Sequence, residues 1–223
     1  AKAAVEELRV RLARRKLACR ANQAERSQRI AAEKSAWEHE LGAWTHERDP
    51  FSLEIAKGSK FMHPRQMLRE LELAMPRDAM VSTDIGNVCS VANSYLRFEQ
   101  PRSLFAAMSF GNCGYAFPVA CGAKIASPER PAIAYVGDGA WGISLNELLT
   151  CAREKIGVTV IVFNNGQWGA EKKNHVDFYS QRFNAVNLDS PSWAEVARAI
   201  RCEGITEEKM EDVGAALQAE VEE

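Results

Sequence analysis

The stretch Pro131-Ala132-Ile133-Ala134-Tyr135-Val136-Gly137-Asp138-Gly139, continued after one helical run by Val158-Thr159-Val160-Ile161-Val162-Phe163-Asn164-Asn165-Gly166-Gln167, decides the fold. Ala132 to Val136 is a short apolar run ending in a Gly-rich turn, as expected of a buried parallel strand. Ser144 and Glu147 have the spacing of a capping box. Leu145, Leu148, Leu149, Ala152 and Ile156 are placed for one helical face, and Gly157 is a natural residue to end that helix. Val158 to Phe163 is a second apolar, β-branched run. The whole predicts a βαβ unit with a right-handed crossover.

In that unit Asp138 and Asn165 both lie just past the carboxyl ends of parallel strands, the edge of an open α/β sheet where ligands bind. A carboxylate, an amide oxygen and a nearby backbone carbonyl are hard oxygen donors. They suit Mg²⁺, which keeps further positions for water and phosphate oxygens. Gly137 and Gly139 allow an anion close to the backbone. The following helix offers free N–H groups and a favourable dipole to a diphosphate.

Gly137-Asp138-Gly139 followed by Asn164-Asn165, with 27 positions from 138 to 165, resembles the motif of the thiamine diphosphate-dependent enzymes. The resemblance implies an α/β fold, a parallel sheet flanked by helices that binds thiamine diphosphate. It implies that Asp138, the Asn165 side chain and the Gln167 carbonyl hold Mg²⁺, and that Gly137, Gly139 and Ala140 line the diphosphate. It also makes Gly86 and Asn87, in the turn Thr83-Asp84-Ile85-Gly86-Asn87, candidates for the diphosphate; a plain turn with a helix N-cap is the other reading.

Ser109-Phe110-Gly111-Asn112-Cys113-Gly114 is the second informative stretch, a turn leading into an Ala-rich helix. Its glycines permit close approach to a flat ligand. The resemblance implies that Gly111 offers its carbonyl, and Cys113 its N–H, to the aminopyrimidine ring. The Cys113 side chain would then support the bent cofactor, where relatives carry a larger apolar residue. Glu171, in Gln167-Trp168-Gly169-Ala170-Glu171-Lys172-Lys173-Asn174, matches an active-site acid of some relatives. Lys172 and Lys173 are candidates for an anionic substrate, although for at least one of them an exposed helix face is the better reading.

Gly111-Asn112-Cys113-Gly114-Tyr115-Ala116-Phe117-Pro118, Gly137 to Gly142 and Gln167 to Asn174 narrow the resemblance to the sulfoacetaldehyde acetyltransferase group. It runs from about Trp37 to Asp189. The implied substrates are sulfoacetaldehyde and phosphate, and the implied products acetyl phosphate and sulfite. A homo-oligomer formed through the cofactor interface is expected. Acetohydroxyacid synthase, sulfopyruvate decarboxylase and a non-catalytic cofactor-binding subunit are the alternatives.

The chain has 223 residues, 46% of them hydrophobic, and a net charge of −2, so nothing electrostatic points to nucleic acid. Its six cysteines lie at 19, 89, 113, 121, 151 and 202, with no C-x-x-C spacing to suggest zinc. No apolar run is long enough to span a membrane, and a reducing cytoplasm is the expected setting.

Residues 1–58 differ from the rest, being rich in Ala, Arg, Glu and Lys. Val5, Leu8, Leu12 and Leu17 form a partial apolar stripe beside many basic residues. A membrane-surface or RNA-binding helix is one reading, and a solvated helical connector is preferred, because no aromatic residue precedes Trp37. Trp37 and Trp44 could dock this segment, and 49–58 reads as a linker. Residues 59–223 read as the cofactor-binding domain. Its expected elements include a helix opening at His63-Pro64, a strand over 79–82, a helix from 87 to about 96, and helices over 192–200 and 207–221 around a short strand at 204–206. Nothing in residues 1–62 resembles a second α/β domain, and a final strand is expected after the last helix. The chain therefore reads as the carboxyl-terminal part of a longer enzyme, with a split-gene subunit as the other possibility.

Overall fold

The computed structural model describes residues 2–14, 23–46 and 62–222. The chain divides into two compact units, Ala1–Glu47 and Arg48–Glu223. In the first, α1 (Lys2–Arg14) and α2 (Gln23–His46) are the helices. Val5, Leu8 and Leu12 of α1 are all exposed. Its charges pair along the helix, Arg9 with Glu6 and Arg11 with Glu7, as on a solvated helix face. The expected linker at 49–58, Leu17, Cys19 and the Trp44 side chain lie outside the described residues.

The second unit is an α/β layer structure. Its strands are β1 (Met80–Thr83), β2 (Leu104–Ala106), β3 (Ala132–Gly137) and β4 (Thr159–Phe163). They form one sheet of order β2-β1-β3-β4 in which every pairing is parallel. Burial explains the apolar runs, since Ala132 to Val136 are all enclosed.

Alternate residues of β3 serve opposite faces. Ala134 and Val136 pack with Phe117 and Ala120 of α5 (Ala116–Ala126), Trp141 of α6 (Asp138–Ser144), and Leu148 and Cys151 of α7 (Leu148–Glu154). Tyr135 belongs to the other face, beside Phe163. Thr83, its register partner, donates to Cys89 Sγ on α4 (Asn87–Tyr95) at 3.4 Å. The helix α3 (Pro64–Ala74) starts as expected: Pro64 occupies its first turn and His63 Nδ1 accepts the Gln66 N–H. The last helix, α10 (Met210–Glu222), packs along α3, where Gly214 lies against Ala74.

Four local expectations are corrected. Ser144 and Glu147 make no capping box, because the helical run begins six residues earlier, at Asp138, and passes through a 3₁₀ turn at Leu145–Glu147. Cys151 rather than Leu149 or Ala152 completes the buried face with Leu148, and Leu149 is 60% exposed. The 3₁₀ turn shifts the angular register, which a constant 3.6-residue period misses. That helix is capped by left-handed Lys155 (φ 55°) instead of Gly157. Residues 204–206 form no strand; Ile205 is exposed and takes part in no strand pairing among the described residues. The helices on either side are present as α9 (Trp193–Ala199) and α10.

Candidate cofactor and metal site

The site grows out of one edge of the sheet. Gly137 pairs with Phe163, so β3 and β4 end level and their loops leave side by side. Asp138 follows at once and is 2% exposed. Its Oδ2 accepts the Gly166 N–H at 2.9 Å and the Ser190 hydroxyl at 3.1 Å. Among the described residues no group donates to its Oδ1.

The β4 loop is equally defined. Asn165 Oδ1 accepts the Gln167 N–H at 3.2 Å, closing a side-chain-to-backbone turn around left-handed Gly166 (φ 65°). The chain then returns as a strap. Gln167 bridges Asn187 in antiparallel sense, with Trp168 N–H on Val186 O and Leu188 N–H on Gly166 O, both at 2.8 Å. That bridge uses Gly166 and Trp168 and leaves the Gln167 carbonyl out. The Gln167 side chain is held separately by Lys172 Nζ, 2.7 Å from Oε1.

Asp138 Oδ1, Asn165 Oδ1 and the Gln167 carbonyl are thus three oxygens of the kind Mg²⁺ accepts. Asn165 Oδ1 keeps a lone pair beyond the one on Gln167. Gly86, Gly111 and Gly137 each have open space where a side chain would project, which leaves room for a ligand against the backbone. Gly86 has φ 117° and ψ −164°, a conformation essentially restricted to glycine. Asn87, the first residue of α4, and Asn165 both bring their side-chain amides up to Gly169; a methyl on Gly169 would lie 3.3 Å from the nitrogen of each. The first-turn N–H groups of α6, at Asp138, Gly139 and Ala140, have no acceptor within the helix. Gly139 lies under Trp168, whose ring would be 2.8 Å from a methyl there. These features fit a diphosphate with its metal.

The second loop is anchored from beneath by Asp84, which is fully buried at the end of β1. Its Oδ1 accepts the N–H of Ile85 at 3.0 Å and of Gly114 at 3.1 Å, and its Oδ2 that of Ala116 at 2.9 Å. Burial raises its pKa, and these N–H groups oppose the rise. Gly111 and Gly114 are both left-handed, at φ 74° and 79°. The Cys113 thiol is pushed up by burial first, then by the charges of Asp84 and Glu171. Glu171 lies exposed in the first turn of α8 (Gly169–Phe178), near enough to Cys113 for its charge to act on the thiol. Lys173 instead pairs with Asp177 at 2.7 Å along the helix surface.

The fold thus brings Gly86, Asn87, Gly137, Asp138, Gly139, Ala140, Asn165 and Gln167 to one sheet edge, with Gly111 and Cys113 on the loop before α5 and Glu171 in the first turn of α8. Sequence reasoning did not single out Asp84, Gly166, Gly169 or Ser190. Only Asp84 carried a local signal, as a carboxylate directly after a buried strand. Ser190 reaches Asp138 across 52 positions and leaves no local trace.

Residues 84–223 match the family described as thiamine pyrophosphate enzyme, C-terminal TPP binding domain. The chain belongs to this family. Curated relatives include proteins named sulfoacetaldehyde acetyltransferase from Castellaniella defragrans, 62% identical, and Alcaligenes xylosoxydans xylosoxydans, 58% identical. Both alignments cover 100% of this chain and 38% of the relative, so the chain spans well under half of their length. An acetolactate synthase of Mycobacterium bovis is 35% identical over 68% of this chain and 25% of its own. Among solved structures, a thiamine diphosphate-dependent 4-hydroxybenzoylformate decarboxylase of Rhodococcus jostii RHA1 superposes with a TM-score of 0.67 at 22% identity, over 75% of this chain and 32% of that one. That likeness is one of fold, and it matches the parallel sheet and flanking helices of this thiamine pyrophosphate-binding domain.

Proposed function

We propose that this chain forms the cofactor-clamping part of a thiamine diphosphate-dependent acetyltransferase that converts sulfoacetaldehyde and phosphate into acetyl phosphate and sulfite. The observation that carries the clamp is Asp138, a buried carboxylate with one oxygen engaged by Gly166 and Ser190 and the other without a donor among the described residues. The choice of substrate is supported by 62% identity across the whole chain to a protein named sulfoacetaldehyde acetyltransferase. Residues 59–223 are the cofactor-binding domain in this reading, and residues 1–58 its helical connector.

Asp138, Asn165 and the Gln167 carbonyl hold Mg²⁺. The N–H groups of Gly139 and Ala140 meet the diphosphate, with Gly86, Asn87 and Gly137 lining its path. Gly111 and Cys113 present a carbonyl and an N–H to the aminopyrimidine, and the Cys113 side chain supports the bend of the cofactor. When bound, thiamine diphosphate supplies a carbanion that adds to the aldehyde, and its ring stabilises the charge left behind. Glu171, close enough to Cys113 to raise its thiol pKa, holds or delivers a proton at the mouth. Lys172, fixed on Gln167, contributes a positive charge beside the site.

The mouth is apolar at its rim. Met108, Phe110 and Ile143 are 67%, 90% and 56% exposed around the Gly111–Gly114 loop. This supports a homo-oligomer closed over the cofactor. Among the described residues no helix is long and apolar enough to cross a membrane, and we place the enzyme in the cytoplasm.

The test is an assay of the purified protein with Mg²⁺, thiamine diphosphate, sulfoacetaldehyde and phosphate, following sulfite and acetyl phosphate. Equimolar release of both supports the proposal. The 35% identical acetolactate synthase motivates a second reading in which pyruvate is the substrate. Acetolactate formed from pyruvate, without sulfite from sulfoacetaldehyde, would establish that reading instead.

A further inference from the structure

We infer that Asp84 is a positioning residue for the cofactor's pyrimidine end, holding the Gly111–Gly114 loop in its binding shape before the cofactor arrives. This deepens the reading above and rests on it, since it takes that loop as the pyrimidine site.

The loop cannot hold itself. Gly111 and Gly114 are left-handed, and among the described residues no side chain of 109–115 makes a hydrogen bond to the loop. Its order comes from below. One fully buried carboxyl accepts the Gly114 N–H on one oxygen and the Ala116 N–H on the other, from 30 and 32 residues away. The same Oδ1 accepts the Ile85 N–H, tying the loop to the turn that leads to Gly86 and Asn87. The Asp84 N–H in turn donates to Tyr135 O on β3 at 2.9 Å, so the anchor is itself fixed to the sheet. Every hydrogen bond to the carboxyl comes from a backbone N–H, and a carboxylate is the side chain that accepts on both ends. A loop preorganised in this way loses less conformational entropy on binding. The two ends of the site are then held by the same device: Asp138 ties the β3 and β4 loops under the diphosphate, and Asp84 ties the β1 and Gly111–Gly114 loops under the pyrimidine.

The test separates the two ends with two probes. Calorimetry on the purified protein with Mg²⁺ measures Kd for thiamine diphosphate and for inorganic diphosphate, which has no pyrimidine. Asp84→Asn replaces one acceptor by a donor, so either Gly114 or Ala116 must lose its bond. Asp84→Glu keeps the charge and moves both acceptors by one methylene. For each variant the expected result is about a tenfold rise in the thiamine diphosphate Kd. The inorganic diphosphate Kd should stay within about twofold. An unchanged thiamine diphosphate Kd in a folded variant overturns the inference. So does an equal loss for both probes, which would make Asp84 a support of the fold at large. Should both variants unfold, amide hydrogen exchange in the unmodified protein decides: Gly114 and Ala116 should exchange slowly without cofactor, and fast exchange there overturns the inference. Failure of the unmodified protein to bind thiamine diphosphate at all would overturn the cofactor reading itself.

Discussion

The Gly166 N–H lies 2.9 Å from Asp138 Oδ2, and this bond joins the loops that follow β3 and β4. It fixes which carboxylate oxygen remains for a cation. Ser190 adds a second bond to the same oxygen from the returning strap. Ser190→Ala removes that bond and leaves Gly166 in place. A hydrogen bond to a charged group contributes about 1.5–3 kcal/mol. Because Gly166 still restrains Asp138, the expected effect lies at or below the lower end, about a tenfold rise in the Mg²⁺ concentration needed for half-maximal cofactor binding. A titration of Mg²⁺ at fixed thiamine diphosphate measures it, and an unchanged midpoint would remove Ser190 from the site.

Cys113 is half-buried, and its neighbours already disfavour a charge there. Cys113→Leu should be tolerated, with turnover within about threefold of the unmodified protein, because Cys113 is only half-buried and the overpacking cost of a larger side chain belongs to a closed core. Cys113→Asp places a carboxylate beside Asp84 and Glu171 and should lower kcat by at least about tenfold. Steady-state assays of the two variants decide it; a fully active Asp variant would show that Cys113 does not line the cofactor.

Asp84 gives a pH signature. Its folded pKa lies above the ordinary 3.8, with burial the leading cause. A group with a raised folded pKa binds its proton more tightly in the folded state, so its contribution to stability is complete below 3.8 and is lost as pH rises through the folded value. Asp84→Asn has no such titration. Thermal unfolding of both proteins from about pH 3.5 to about pH 7 should show the unmodified protein losing stability relative to the variant as pH rises. A constant difference across that range would contradict the assignment.

The strand ends were legible because composition and chemistry coincided there. Ala132 to Val136 is apolar enough to be a buried strand, and Asp138 and Asn165 follow two such strands as oxygen donors. What eluded the sequence depends on tertiary contact or on backbone detail. The 3₁₀ turn at Leu145–Glu147 changes the helical phase and exposes Leu149. Lys155 takes a left-handed cap that Gly157 would have suited. Ser190, in an irregular segment, has a role set only by where the strap returns.

Glu72 shows the same limit in the core. A glutamate in a helix is ordinarily a surface residue, yet Glu72 of α3 is fully buried, with Arg77 at 2.9 Å, Arg69 at 3.5 Å and Arg97 at 3.6 Å. Glu72→Ala removes the shared partner of three cations and leaves a cavity. Breaking a buried pair costs about 3–5 kcal/mol. The arginines are partly solvated, so about 2–3 kcal/mol is expected in denaturant unfolding, against under about 0.5 kcal/mol for exposed Glu70→Ala.

The most direct test of the clamp is the affinity of Asp138→Ala for thiamine diphosphate, measured by calorimetry with and without Mg²⁺. Among the three proposed metal donors only Asp138 carries a full negative charge. Its loss should abolish the Mg²⁺-dependent part of binding, leaving the same weak affinity in both conditions, whereas Asn165→Ala should weaken binding less. Equal cofactor affinity in the unmodified protein and in Asp138→Ala, with Mg²⁺ present, would contradict the account.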